Sequence, residues 1–222
     1  MKRLIMIIAV FPCLMTAQTP VDSLHSWDYY FSLGGGFSLT NGIPQDIYQA
    51  GNSNVQIGIW IERTLSSKFS VLSGLELEQI SYSFDGLVEE RDGKVNIIQA
   101  PDGVKYTQLY NRNICVPLQV RWYSKDIQNA TNFYLQGGLR MAYGWNATFN
   151  YREGGESQSN SLSPALAPVI VSTELMIGFK GNYFTNFDLL NASSLGLILT
   201  LNPIFDDALP LQPLHFTWRF MF

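Results

Sequence analysis

The sequence predicts an all-β protein: a single eight-stranded, antiparallel, up-and-down transmembrane β-barrel. Three observations predict it. Apolar and polar side chains alternate through most of the chain, which is the period of a strand with one apolar and one polar face. The connections between the predicted strands are long and short in turn. The chain ends on an alternating aromatic segment that stops at Phe222.

The composition fits such a barrel and excludes several other classes of protein. Of the 222 residues, 46% are hydrophobic and only 14% are charged, the formal net charge is −4 and there are two cysteines. Charged residues normally make up about a quarter of a soluble domain. An acidic chain argues against a basic nucleic-acid-binding domain, so no nucleic acid is expected as a partner. Two cysteines are too few for a disulfide-stapled mini-protein.

The first 17 residues have the pattern of a secretory signal peptide. A basic start, Lys2-Arg3, precedes the apolar run 4–15, and the small residue Ala17 follows. A transmembrane helix needs about 20 apolar residues, so this run is too short to be one. We expect cleavage after Ala17, a periplasmic segment over 18–27 and the barrel over 28–222. Phe11 and Pro12 argue against the alternative, acylation of Cys13 as a lipoprotein.

Removal of that signal would leave Cys115 as the only cysteine of the exported chain. One thiol can form neither an intramolecular disulfide nor a cysteine-based zinc site. The sequence therefore predicts no metal site and no other cofactor.

Eight segments show the alternation of a strand. They cover residues 28–40, 54–65, 69–84, 106–123, 132–150, 167–180, 187–201 and 213–222. In the first four segments, apolar rows that include Tyr29, Val55, Leu75 and Val120 alternate with polar positions. Each segment can therefore turn one face to an apolar environment and the other to a polar one.

The last four segments continue the pattern, and the eighth shows it most clearly. Its apolar row is Leu214, Phe216, Trp218, Phe220 and Phe222. His215, Thr217, Arg219 and Met221 lie between these residues. A soluble protein rarely exposes such a bare aromatic stripe, whereas a strand that faces lipid requires one.

The lengths of the connections indicate how the strands are arranged. The long ones are 41–53, 85–105, 151–166 and 202–212, and the short ones are 66–68, 124–131 and 181–186. An even number of antiparallel strands, with short turns at one end and long loops at the other, is typical of bacterial outer-membrane barrels. Closure leaves no strand edge unpaired, as the lipid demands. The sequence thus predicts a bacterial outer-membrane protein surrounded by outer-membrane lipid.

The opposite parity places eight charged side chains in the barrel interior. They are Glu62, Glu76, Glu78, Arg121, Arg140, Glu174, Lys180 and Arg219. An eight-stranded barrel is just wide enough for side chains to fill it. Buried charges need opposite charges and hydrogen bonds. We therefore expect a salt-bridged, plugged lumen that conducts little or nothing.

A second hypothesis is a small transport barrel or a lipid-modifying outer-membrane enzyme that uses His215. This histidine faces the interior by parity, near the long-loop end of the last strand. A general base needs a nucleophile or water and an orienting acid within about 3 Å, which spacing alone cannot show. We favour a non-enzymatic protein with no catalytic residue. A soluble lipocalin-like binder is a third alternative, but it would turn its apolar faces inward.

The connection 85–105 is the segment most suited to binding. It mixes acidic and basic residues with an apolar patch formed by Val95, Ile97 and Ile98. Long loops on a rigid scaffold often carry binding sites, so contact with another envelope protein is one interpretation. We favour the other, in which this hairpin extends two barrel strands beyond the membrane.

Four segments resemble the PorT-type outer-membrane β-barrel family of Bacteroidetes. The stretch 113–123, NICVPLQVRWY, resembles the family's "IPLLLKYY"-like strand, and 133–143, FYLQGGLRMAY, resembles the "FYLEAGPYLGY"-like strand after it. The stretch 194–197, SLGL, is similar to the family's "YSLGL" segment, and the chain ends on Phe222 as family members do. Gln136-Gly137-Gly138 departs from the family's acidic residue and Gly-Pro pair, and Cys115-Val116 departs from its residues before the proline.

The resemblance implies how the protein reaches its membrane and what it does there. It implies delivery by the barrel-assembly machinery, which is understood to recognise an aromatic C-terminal strand. That signal maps onto Phe216, Trp218, Phe220 and Phe222. Since PorT-like members can be accessory parts of type IX protein secretion, it also implies a structural or accessory role in the envelope.

Overall fold

A computed structural model describes residues 26–41, 47, 49–91, 94–99, 104–129, 131–153, 156–162, 169–181, 192–201 and 212–222. The predicted signal peptide and residues 18–25 of the predicted periplasmic segment lie outside these ranges, so both remain predictions. Within the described ranges, no helix is long and apolar enough to cross a membrane.

The described residues form eleven strands. They are β1 Trp27–Asn41, β2 Gln49–Thr64, β3 Phe69–Phe84, β4 Gly86–Arg91, β5 Lys94–Gln99, β6 Val104–Tyr123, β7 Asn132–Glu153, β8 Glu156–Leu162, β9 Ile170–Lys180, β10 Ala192–Thr200 and β11 Gln212–Met221. Eight of these, all except β4, β5 and β8, form a closed antiparallel barrel in which β6 pairs with β7 and β11 pairs with β1. The predicted fold class is confirmed.

Side chains alternate between the two faces of the barrel wall. In β3, Glu76 and Glu78 are 0% and 3% exposed, whereas Leu75 and Leu77 are 48% and 51% exposed. The strand pleat sends successive side chains to opposite faces, so the apolar row covers the outside and the polar row fills the inside.

Strand β2 begins earlier than the sequence predicts. It starts at Gln49 rather than residue 54, and the β2–β3 register shifts between Gln49 and Gly51. Gly51 has a φ of 136°, a conformation that glycine adopts without a steric penalty. This irregularity lets the strand continue through a segment whose Asn and Ser residues are typical of a loop.

The prediction that 151–166 is a loop is wrong for part of that segment. Strand β8 pairs with β7 from Ala147↔Leu162 to Glu153↔Glu156. Strand β9 reaches along β7 only as far as Ala142↔Ile170. Because β7 is longer than β9, the returning chain pairs with its edge from Ala147 to Glu153.

The preferred interpretation of 85–105, an extension of two barrel strands, is also wrong. Strands β4 and β5 form a separate two-stranded sheet. Val88 and Ile97 pair on one face of this hairpin and are buried, whereas Ile98 lies on the other face and is exposed. Burial of two apolar side chains favours folding of the hairpin against the barrel interior over continuation of the wall.

The lumen has an apolar cluster at each end. The long-loop cluster consists of Ile47, Ile80, Tyr82, Phe84, Val88, Ile97, Leu109, Cys115, Ala142, Ala147, Phe149 and Ile170. The short-turn cluster consists of Tyr30, Trp60, Leu72, Tyr123, Tyr134, Ala192 and Met221. The predicted charged residues lie along the interior face of the same strands, and they form the candidate site.

Candidate functional site

Seven of the eight charged residues predicted for the lumen lie deep inside it. Glu62, Glu76, Glu78, Arg121, Arg140, Glu174 and Arg219 are each no more than 3% exposed. Lys180 differs, because β9 ends at this residue and its side chain is only half-buried. Its Nζ lies 3.5 Å from the Ile127 carbonyl oxygen and 5.6 Å from the centre of the Tyr123 ring. The buried set therefore holds four carboxylates and three guanidinium groups, with Lys180 near the short-turn end.

Two arginines and three glutamates form the central ion-pair group. Arg140 Nη2 lies 3.1 Å from Glu78 Oε1, and Arg140 Nε lies 3.4 Å from Glu76 Oε2. Arg219 Nη2 lies 3.1 Å from Glu76 Oε1, and Arg219 Nη1 lies 2.8 Å from Glu174 Oε1. Glu76 thus links the two arginines, so these five side chains form one connected network.

Neutral side chains satisfy much of the remaining acceptor capacity of these carboxylates. Trp60 Nε1 donates to Glu76 Oε1 at 3.1 Å, and Gln56 Nε2 donates to Glu78 Oε1 at 3.1 Å. Asn113 Nδ2 donates to Glu78 Oε2 at 3.0 Å, and Gln119 Nε2 donates to Glu174 Oε2. A buried ion pair is tolerated only when hydrogen bonds of this kind offset the loss of hydration.

A second ion pair joins Arg121 and Glu62 beside the short-turn cluster. Arg121 Nη1 lies 2.8 Å from Glu62 Oε2, and Arg121 Nε and Nη2 donate to Gln136 Oε1 at 2.8 and 2.6 Å. Tyr123 donates its hydroxyl proton to Glu62 Oε1 at 2.7 Å, and Ser70 also donates to this oxygen. Each end of this pair is therefore held by hydrogen bonds as well as by charge.

Aromatic rings cover two of the guanidinium groups. The Cζ atom of Arg121 lies 4.2 Å from the centre of the Tyr134 ring, and that of Arg219 lies 4.5 Å from the centre of the Trp60 ring. Such contacts stabilise a desolvated cation. The prediction of the charged site did not include these two aromatic residues, although both lie at inward-facing positions of their strands.

Glycines at inward positions make room for the large interior side chains. A Cβ atom at Gly58 would lie 2.8 Å from Glu76 Cγ, and one at Gly178 would lie 2.5 Å from Tyr134 Cζ. A Cβ atom at Gly196 would lie 2.7 Å from Met176 Cγ. The interior is therefore packed tightly enough that the absence of a side chain at these three positions matters.

His215 faces the interior and contacts a residue that the prediction of the site did not name. Its Nδ1 lies 2.6 Å from Ser38 Oγ, and the two residues are 3% and 4% exposed. The β1–β11 register sets Ser38 opposite His215, which brings the two side chains together. This pair is shielded from both lipid and water.

The residues predicted to form the assembly signal lie on the outer face of β11, except Phe222, which follows this strand directly. Trp218, Phe220 and Phe222 are 43%, 37% and 37% exposed, and Phe216 stacks on Phe37 with ring centres 4.8 Å apart. The backbones of Phe31 and Phe222 exchange two hydrogen bonds of 3.1 and 2.8 Å. The C-terminal residue thus completes the seam between the first and last strands. Recognition of this strand by the assembly machinery remains a prediction.

The described residues contain no group of three or more His, Cys, Asp or Glu side chains that could hold a metal ion.

A closed antiparallel barrel of eight strands with an apolar outer face defines an integral outer-membrane β-barrel protein. The sequence profile of the family described as "Outer membrane protein beta-barrel domain" matches residues 16–206, and the chain belongs to this family. Its location is therefore the bacterial outer membrane.

Among solved structures, the chain is similar to the N-terminal β-barrel domain of Pseudomonas aeruginosa OprF. The two are 10% identical, with a TM-score of 0.31, and the match covers 89% of this chain and 100% of the OprF domain. A comparison with curated proteins found no match.

Proposed function

We propose that this protein is a closed, non-conducting barrel that acts as a structural or accessory component of the outer membrane and catalyses no reaction. The observation that carries the proposal is the set of seven buried charged residues, a network of five and a separate pair, flanked by apolar clusters at both ends of the lumen. We expect such a lumen to offer no continuous aqueous path.

Ion flow would require the network to come apart. An ion at the level of Arg219 would have to displace a guanidinium that contacts both Glu76 and Glu174. Leaving a buried charge without its partner costs about 3–5 kcal/mol. Both contacts are in a part of the barrel where the side chains have no exposed surface. Transient opening is therefore rare.

Planar-bilayer recording tests this proposal. We expect the purified protein to give no stable unitary currents, and Arg219→Ala to give currents more often because it empties space and unpairs two carboxylates. Arg112→Ala is the matched control. The Arg112 side chain is half-buried, lies at an outward-facing position of β6 and donates a hydrogen bond to Gln79. Stable, large unitary currents from the unmodified protein would contradict the proposal.

We further propose an accessory role in type IX protein secretion, because four segments of the sequence resemble the PorT-type family. The long connections, including 85–105, are where contact with other envelope proteins is expected. Deletion of the gene in its own host, followed by assay of type IX cargo in the medium, tests this role. We expect cargo secretion to fall and to recover when the gene is restored. Normal secretion in the deletion strain would contradict it.

The second candidate, a lipid-modifying enzyme using His215, is favoured by the 2.6 Å contact between His215 and Ser38. Against it, both side chains are enclosed in the barrel. We therefore expect Ser38→Ala and His215→Asn to leave lipid A and phospholipid turnover unchanged. Loss of turnover in both variants, with folding intact, would establish the enzymatic role instead.

A further inference from the structure

The hairpin formed by β4 and β5 is not part of the hydrogen-bonded sheet of the barrel wall. Its strands form their own sheet, although β4 follows β3 after the single residue Asp85. Thr107, an inward-facing residue of β6, donates its hydroxyl proton to the carbonyl oxygen of Gly86 at the base of the hairpin. This bond, together with the packing of β4 against β6, holds the hairpin against the long-loop end of the barrel.

The inner face of the hairpin is part of the long-loop cluster. Val88 and Ile97 are 4% and 8% exposed, and they belong to the same apolar cluster as Leu109 on β6, Phe149 on β7 and Ile170 on β9. With Ile80, Tyr82 and Phe84 of β3, the cluster draws on four consecutive strands of the barrel, β3, β6, β7 and β9. A hairpin whose apolar face joins this cluster leans inward over the side of the mouth that these four strands form.

The two faces of the hairpin differ although both carry apolar residues. The cross-strand pair Val88↔Ile97 is buried, whereas the next pair, Leu87↔Ile98, faces outward and Ile98 is 38% exposed. Adjacent residues of β5 thus have opposite environments. This contrast provides a matched pair of substitutions in which size, strand and sequence position are almost the same.

We propose that the β4–β5 hairpin is a lid over the β3–β6–β7–β9 side of the long-loop mouth and keeps external water away from the interior beneath it through Val88 and Ile97. The inference rests on the proposed closed lumen and adds an element that closes part of its outer end. It differs from the interpretation of this segment as a docking arm, because the inner apolar face of the hairpin is already occupied by the barrel.

Thiol labelling of the full chain, isolated folded from outer membranes, tests the lid. Leu109→Cys introduces a thiol into the apolar cluster that the hairpin joins, at a position that is 2% exposed. The native Cys115, 0% exposed and deeper along the same strand, reports any general opening of the barrel. The probe is a small, water-soluble methanethiosulfonate reagent. Heat-modifiable migration on a gel establishes that each variant is folded.

With Leu109→Cys alone, we expect slow labelling. Adding Ile97→Ser removes a buried apolar side chain from the lid, so we expect the labelling rate to rise about tenfold or more. Ile97→Val shortens the same side chain and should give a smaller increase. Ile98→Ser, the matched control on the exposed face, should leave the rate unchanged. Cys115 should stay unlabelled in all four proteins.

Three results would overturn the lid. The first is fast labelling of the introduced thiol without any lid substitution, and the second is an equal increase from Ile97→Ser and Ile98→Ser. The third is labelling of Cys115 together with the introduced thiol, which would mean that the barrel itself opens. Bilayer recording of the same proteins separates this inference from the proposed function. A barrel that gives no unitary currents but whose introduced thiol is labelled quickly has a closed lumen and no lid.

Discussion

Arg219 Nη1 lies 2.8 Å from Glu174 Oε1 inside the lumen, and neither side chain has exposed surface. Arg219 is on β11 and Glu174 is on β9, with β10 between them in the barrel. The contact therefore links strands that are not neighbours, so it stabilises the closed arrangement rather than a single strand pair.

Removal of this guanidinium should strongly destabilise the barrel. Arg219→Met leaves Glu76 and Glu174 without a shared cation in a buried site, and we expect the free energy of unfolding to fall by about 3–5 kcal/mol. Urea unfolding in lipid vesicles, followed by heat-modifiable migration, measures the change. Arg112→Met, on the outer parity, should cost about 1 kcal/mol or less. An equal loss of unfolding free energy in the two variants would show that the ion pairs of the lumen stabilise the barrel no more than the outer contact of Arg112 does.

The glycines beneath interior side chains should not tolerate even a methyl group. At Gly178 a Cβ atom would meet Tyr134 Cζ at 2.5 Å and the Ser193 carbonyl oxygen at 2.5 Å. We expect Gly178→Ala to lower the free energy of unfolding by about 1–3 kcal/mol through overpacking.

Gly137→Ala is the control for Gly178→Ala, because a Cβ atom at Gly137 would have its nearest contacts at 3.4 and 3.5 Å. It should be almost neutral in the same unfolding assay. A larger loss at Gly137 than at Gly178 would contradict the tight interior packing described above.

A charge on the outer face should be costly near the centre of the membrane and tolerated near its edge. Leu197, in the middle of β10, and Leu201, just beyond its long-loop end, both face outward. Leu197→Arg should destabilise the folded protein in vesicles by about 2–4 kcal/mol, and Leu201→Arg by about 0–1 kcal/mol. A larger loss of stability in Leu201→Arg than in Leu197→Arg would mean that the apolar surface in contact with lipid lies elsewhere on the barrel.

Alternation in the sequence was sufficient to predict the barrel strands, because lipid requires an apolar residue at every second position of a spanning strand. It missed β8, whose sequence ESQSNSL has no apolar row. The side chains at 156–161 of β8 are exposed, so neither lipid nor the interior constrains them. The hairpin β4–β5 was predicted to extend the barrel wall. Alternation shows that a strand has two different faces, but it does not show which part of the protein each face packs against.

The alternation of positions along each strand could predict which charged residues face the interior, but not which of them contact one another. Arg219 and Glu76 are 143 residues apart, and their contact depends on the stagger of all the strands between them. Trp60 and Tyr134 illustrate the same limit. Their inward parity was visible in the sequence, but their positions over the Arg219 and Arg121 guanidinium groups require the closed barrel.

A nitroxide scan along β10 tests whether one set of alternate side chains faces lipid while the other fills a closed lumen. Single cysteines are introduced at Ser193, Ser194, Leu195, Leu197, Ile198 and Leu199 in a Cys115→Ala background, labelled, and reconstituted in vesicles. Collisions with oxygen report lipid, and collisions with a water-soluble nickel chelate report water.

We predict high oxygen accessibility at Leu195, Leu197 and Leu199, and low accessibility to both reagents at Ser194 and Ile198, which are 7% and 1% exposed. Loss of the two-residue period would contradict the barrel. High accessibility of Ser194 and Ile198 to the nickel chelate, with the period intact, would leave the barrel standing and contradict the closed lumen.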